Sequence, residues 1–141
     1  MQIESLQNPR IKNLLKLQEK SRERKTQGLF IVEGKQENEL AIKGGYEAVE
    51  IYVCEDIYES TIDFGRAKMF EITRIVFEKL AYRKSTGGIV GVYKTKSSDL
   101  STLKLPDNPL IVVLEAVEKP GNLGAVLRTG DGAKVDAVIV C

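Results

Sequence analysis

The 141-residue sequence contains no histidine and only two cysteines, Cys54 and Cys141, and no CxxC pair. A zinc site or a disulfide framework has too little to draw on, so no metal is expected and both cysteines read as reduced thiols without a catalytic role. No apolar run approaches the roughly 20 residues that span a bilayer. The opening "MQIESLQNPRIKNLLKLQEK" has no uninterrupted apolar stretch of the kind a secretory signal needs, which leaves a cytoplasmic protein as the expectation. Also missing are the GxGxxG dinucleotide fingerprint and the lysine of a Walker loop.

What is present is 43% hydrophobic and 29% charged, the make-up of a soluble globular chain long enough for one domain, or for a small domain and part of another. The net charge of +1 conceals an uneven distribution. Residues 1–35 hold 8 basic and 4 acidic side chains, residues 36–80 hold 5 and 10, residues 81–96 hold 4 and none, and residues 97–141 hold 4 and 6. Two basic blocks around an acidic one fit a positive face able to meet a phosphate backbone. On charge alone they fit better a set of solvated helix surfaces balanced by nearby carboxylates.

Periodicity predicts alternating helices and strands. Asn8 and Pro9 suit the start of a helix with Ile11, Leu14, Leu15 and Gln18 on one face, and the charged "KSRERKTQ" extends it to a stop at Gly28. A buried strand over 29–34, a helix over 35–43 ended by Gly44 and Gly45, and a strand over 48–54 follow. Beyond a weakly patterned stretch come a strand over 68–72, a helix over 73–83 capped by Thr73, and a glycine-rich strand over 87–95. This predicts a small α/β/α layered domain over residues 1–96 with a parallel or mixed sheet. The segment "SSDLSTLKLPDNP" reads as a linker over 97–109. Residues 110–141 then give strand, helix and strand: "LIVVLEAV" looks covered on both faces, as in a parallel sheet, and "DAVIVC" repeats the pattern.

Between those strands lies "EKPGNLGAVLRTGDGA". Pro120 and Gly121 suit a turn, Asn122 a helix cap, and Gly124 a close backbone approach in the first turn, where free N–H groups attract anions. Arg128, six residues on, is expected to reach back toward the helix start on the face that carries Asn122, with the Thr129 hydroxyl beside it. A guanidinium so placed suits a phosphate; alternatively Asn122 only caps, and Arg128 only pairs with Asp131 or Glu118.

The run Asn122-Leu123-Gly124-Ala125-x-x-Arg128-Thr129, entered from "LEAVEKPGN" and left through "VDAVIVC", resembles the first motif of the SpoU (TrmH-like) family of RNA ribose 2′-O-methyltransferases, in the SPOUT superfamily. The stretches "GLFIVEGKQENELA" and "STGGIVGVYKT" resemble the start and end of the substrate-binding domain that many of these enzymes carry. The resemblance implies a ribosomal-protein-like RNA-binding domain followed by the first βαβ unit of a trefoil-knotted catalytic domain that binds S-adenosylmethionine and forms a homodimer. It implies that Arg128 is catalytic, with Asn122 arranging the site and Gly124 and Thr129 beside the substrate, and that the RNA is ribosomal or transfer RNA.

Two positions depart from the family pattern: Gly130, where alanine is frequent, and Lys134, where glycine is frequent. The second and third family motifs have no counterpart here, so the methyl-donor pocket is expected to be missing and these 141 residues to be inactive by themselves. For RNA phosphates the candidates are Lys12, Arg22, Arg24, Lys25, Lys35, Arg83 and Lys84. Rings able to stack on bases are sparse at 6% aromatic content, Tyr82 and Tyr93 being the nearest. Glu33 is expected to fix the strand-to-helix turn. Two other readings remain: a stand-alone RNA-binding module whose last 30 or so residues serve packing or dimerisation, and, disfavoured by the missing glycine and the lack of an acidic ribose ligand at the expected place, part of a nucleotide-binding oxidoreductase.

Overall fold

The computed structural model describes residues 2–59, 61–82 and 87–141. The chain divides into two compact units, Met1–Lys96 and Ser97–Cys141.

In the first unit a two-residue strand β1 (Gln2–Ile3) leads into α1 (Pro9–Glu19). The Asn8 side chain accepts a hydrogen bond from the Arg10 amide at 2.9 Å, a cap that holds the first turn with Pro9 at its start. Ile11, Leu14 and Leu17 are fully buried at i, i+3 and i+6, each contributing about 1.5–3 kcal/mol of apolar burial. Leu17 thus takes the place expected for Leu15, which is half-buried. The basic helix expected to run unbroken to Gly28 is interrupted at Lys20, whose backbone is extended, and resumes as α2 (Ser21–Gln27). Arg24 repairs the break: its Nη1 donates to the carbonyls of Leu17 at 2.8 Å and Gln18 at 3.1 Å, which the interruption frees. Gly28, at φ 63°, ends α2 in the left-handed conformation that glycine adopts without strain.

There follow β2 (Leu29–Glu33), α3 (Lys35–Lys43), β3 (Ala48–Val53), β4 (Lys68–Ile72), α4 (Arg74–Leu80) and β5 (Ile89–Lys94). Thr73 occupies the cap position of α4, but its side chain makes no cap bond, and its hydroxyl is buried without a partner among the described residues. The five strands form one mixed sheet in the order β1-β4-β3-β5-β2. β4 runs parallel to β1 and β3, and β5 runs antiparallel to β3 and β2.

Side chains alternate across this sheet with the period of two that extended chain imposes. Tyr52, Val90 and Val92 join Ile11, Leu14, Leu17, Val76 and Phe77 on one face, whereas Ile51, Val53, Ile89 and Tyr93 join Phe64, Ala41 and Ile42 on the other. The result is three layers: α1 and α4, the sheet, then α3 with Tyr58, Ile62, Phe64 and Ala67. A register shift between Ala48 and Glu50 lets Ala48 face the same side as Ile51. At the centre, fully buried Asn38 donates to the carbonyls of Gly34 at 2.7 Å and Val32 at 3.2 Å, and its Oδ1 accepts from the Tyr93 hydroxyl at 2.8 Å. Gly91 makes room for it, because a methyl group there would collide with Asn38 Oδ1 and lie 2.6 Å from Tyr93 Cε2.

The second unit has a 3-10 turn at Leu100–Thr102, then β6 (Ile111–Leu114), α5 (Pro120–Gly132) and β7 (Ala137–Val140). β6 and β7 pair in parallel, in the βαβ arrangement. β6 is shorter than the 110–117 expected, and neither strand is covered on both faces, Val113 and Val140 being exposed. Asp136 fixes the register: its amide donates to Leu110 O, and its carboxylate accepts from Leu110 N, both at 2.8 Å.

α5 ends in a doubly bonded turn in which Val135 N donates to Gly130 O and Lys134 N to Asp131 O. Lys134 there adopts φ 55°, so the glycine frequent in the family is the residue this position favours. Gly130 is buried, and a Cβ on it would lie 3.0 Å from Val135 Cγ2. An alanine there requires Val135 to shift by a few tenths of an ångström.

Candidate functional site

The sequence offers two groups of candidates, one in each unit. In the first, α1 and α2 present cations to solvent. Lys12, Arg22 and Lys25 are exposed. So is Lys16, one turn from Lys12 on the same helix face, a residue that sequence reasoning missed although the i, i+4 spacing signals it. Arg24 is half-buried and bonded to α1, so its Nη1 serves the fold rather than a ligand. Lys35 lies elsewhere, at the start of α3, with its Nζ donating to Glu59 O at 3.4 Å. Arg83 and Lys84 lie outside the described residues. Glu33, at the end of β2, accepts a hydrogen bond from the Tyr82 amide at 3.0 Å and so ties β2 to the end of α4.

In the second unit all four motif residues ride on α5, and the helix sets their relation. It begins at Pro120, with Lys119 in the cap position making no side-chain bond. Asn122 is therefore inside the first turn rather than its cap. The amides of Asn122 and Leu123 both donate to Lys119 O, at 3.0 and 3.3 Å, and Pro120 has none to give. An anion would thus find little free N–H at this helix start and would depend on the guanidinium.

At 100° per residue, Asn122 and Arg128 lie about 120° apart around the axis. One face does not carry both, contrary to the expectation that Arg128 reaches back onto the face of Asn122; the six-residue spacing itself separates them. Thr129, seven residues on, shares the Asn122 face, whereas Arg128 shares a face with Gly121 and Gly124. A Cβ added to either glycine meets nothing within 4 Å, so the backbone there lies bare. Because helical side chains lean toward the N-terminus, Arg128 projects along this bare strip.

Arg128 is exposed, and among the described residues neither Asp131, Glu118 nor any other group pairs with it. The surface ion pair that was the alternative reading of this arginine is not formed.

Among the described residues no cluster of three His, Cys, Asp or Glu could hold a metal, and no helix is long and apolar enough to cross a membrane. Cys54 is buried, and that burial raises its thiol above the ordinary range, which suppresses the nucleophilic thiolate. Residues 97–141 bury only Gly130 and enclose no polar side chain.

Known proteins resemble the chain along nearly its whole length. Residues 8–91 match the family model of the MRM3-like substrate binding domain. The chain is 29% identical over 140 residues to the 23S rRNA guanosine 2′-O-methyltransferase RlmP of Bacillus subtilis (strain 168), covering 99% of this chain and 54% of that protein. A crystal structure of an RNA 2′-O ribose methyltransferase superposes with a TM-score of 0.80 at 34% identity, over 100% of this chain and 55% of that one. The SpoU methyltransferase AviRb of Streptomyces viridochromogenes, crystallised with AdoMet, shares the fold at a TM-score of 0.81 and 19% identity, over 95% of this chain and 53% of its own. The chain therefore spans about half the length of the relatives it matches. It belongs to the MRM3-like substrate binding domain family, here joined to the first βαβ unit of a SpoU-type methyltransferase fold.

Proposed function

We propose that the chain is the RNA-holding part and first catalytic element of a methyltransferase that moves a methyl group from S-adenosylmethionine to a ribose 2′-hydroxyl of ribosomal or transfer RNA. The first unit holds RNA through Lys12, Lys16, Arg22 and Lys25, whose charges meet phosphates without reading sequence. The second supplies Arg128 as the catalytic residue, with Asn122, Gly124 and Thr129 on adjoining faces of α5. A guanidinium stays protonated at neutral pH, so its work is to fix a phosphate next to the reacting hydroxyl and to stabilise charge developing on the ribose oxygen. The methyl-donor site is assigned to none of these residues. In the complete enzyme, exposed Leu110, Val113, Leu127 and Val140 are covered by the remainder of the catalytic domain or by a second copy in a homodimer, in the cytoplasm.

The observation that carries this reading is Arg128 itself, exposed, without a partner among the described residues, beside two glycines that leave the backbone open. Joined to a catalytic half like that of its relatives, Arg128→Ala is expected to abolish transfer of a labelled methyl group while RNA affinity stays within a few-fold. Unchanged turnover would remove Arg128 from the chemistry.

A further inference from the structure

The chain has 5 tyrosines and 4 phenylalanines, all among the described residues, and Tyr82 is the one exposed to solvent, at 93%. Tyr93, the other ring that the sequence offers for stacking, is fully buried and bonded to Asn38. Tyr82 stands at the rim of a cleft of about 850 Å³ between the end of α1, β2 and the end of α4.

The walls of this cleft are pinned. Gln18 Nε2 donates to Leu80 O at 2.7 Å, joining α1 to α4, and Arg24 holds the end of α1. The Tyr82 amide is held by Glu33, so the backbone under the ring is fixed while the ring itself is free. Leu15, Phe30, Ile31 and Leu80 supply apolar lining, and among the described residues the polar rim carries both signs, Arg24 and Lys79 against Glu19 and Glu33, with Arg24 and Glu33 also bonded within the fold.

That chemistry selects its ligand. The described rim offers a phosphate chain no net attraction, whereas a flat ring with donors and acceptors along its edge matches an apolar lining, an aromatic face, and carboxylates and cations around it. We propose that Tyr82 and this cleft seat an unpaired nucleobase of the RNA, stacked on the phenol ring with its edge bonded at the rim. The proposal rests on the RNA-binding reading above and adds to it a contact with a base, where α1 and α2 contact phosphates.

The chain has no tryptophan, so Tyr82→Trp places a single reporter at the position. The probes are a short single-stranded RNA and the same sugar-phosphate chain without bases, titrated into the 141-residue protein. RNA is expected to quench the indole emission of Tyr82→Trp and the base-free chain to leave it unchanged. Tyr82→Ala is expected to weaken RNA binding by about 5- to 100-fold without altering its salt dependence.

If wild type binds RNA while Tyr82→Ala binds equally well and the Tyr82→Trp emission does not move, the base site is wrong and the RNA-binding reading survives. If wild type binds neither probe, both fall. If Tyr82→Ala alters self-association instead of RNA affinity, the ring covers a protein interface and the proposal is overturned.

Discussion

The two units dispose of their apolar residues in opposite ways. Met1–Lys96 closes a core on both faces of its sheet, with Tyr52, Val90 and Val92 sealed on one side and Ile51, Ile89 and Tyr93 on the other. Ser97–Cys141 has a strand pair and a helix of normal geometry, yet buries only Gly130 and leaves Leu110, Val113, Leu127 and Val140 in solvent. Secondary structure is common to both; a sealed interior is not. The first unit has cooperative packing to lose, whereas the second is held by backbone pairing, the Asp136 clamp and the turn at the end of α5.

The comparison breaks most easily at Gly91. Gly91→Ala forces a methyl group against Asn38 and Tyr93 and is expected to cost about 3 kcal/mol or to abolish the folding transition of the first unit. Urea denaturation followed by far-UV circular dichroism measures it, and a loss below about 1 kcal/mol would mean that the centre has room to spare around Asn38.

Tyr93→Phe probes the same centre more gently, removing the hydroxyl that Asn38 Oδ1 accepts from; the expected cost is about 1–3 kcal/mol. A pH dependence accompanies it. Burial, with a smaller contribution from the Tyr58 charge, pushes Tyr93 up from 10.0 to about 12. The unfolded chain therefore loses this proton first, so the associated stability is complete below pH 10 and is lost as pH rises from about 10 to 12. Alkaline denaturation of Tyr93→Phe is expected to be less steep over that window, with Tyr52 and Cys54, both also raised by burial, contributing to the slope that remains.

In the second unit the sign reverses. Lys134→Gly relieves the left-handed backbone at φ 55° and is expected to gain about 1 kcal/mol, less the entropy glycine adds to the unfolded chain. Amide exchange at Lys134 and Val135 is expected to slow, with none of the first unit's core amides affected.

The same contrast explains what the sequence reveals. Elements closed by glycine, such as α3 over Lys35–Lys43 before Gly44 and Gly45, are legible because local signals suffice. β1 is not, since two residues carry no period and form a strand only by pairing with β4. The break at Lys20 is equally hidden, because it depends on Arg24 reaching carbonyls six and seven residues back. For the site, the residue types around Arg128 are legible, but the cap position is not, because Pro120 starts the helix two residues before Asn122; that Asn122 lies off the arginine's face follows from their six-residue spacing and is legible in the sequence. That Tyr82 is open and Tyr93 sealed depends on tertiary packing alone.

The division of labour itself, phosphates held by α1 and α2 and chemistry left to Arg128, is tested most directly by the salt dependence of RNA affinity. The combined Lys12→Ala, Arg22→Ala and Lys25→Ala variant is expected to bind more weakly and to flatten the log–log slope by about 2, at roughly 0.7 for each single-strand phosphate left without its cation. Arg128→Ala is expected to keep the slope within about 0.7 of the wild-type value. A slope unchanged in the triple variant, or collapsed by Arg128→Ala alone, would contradict the account.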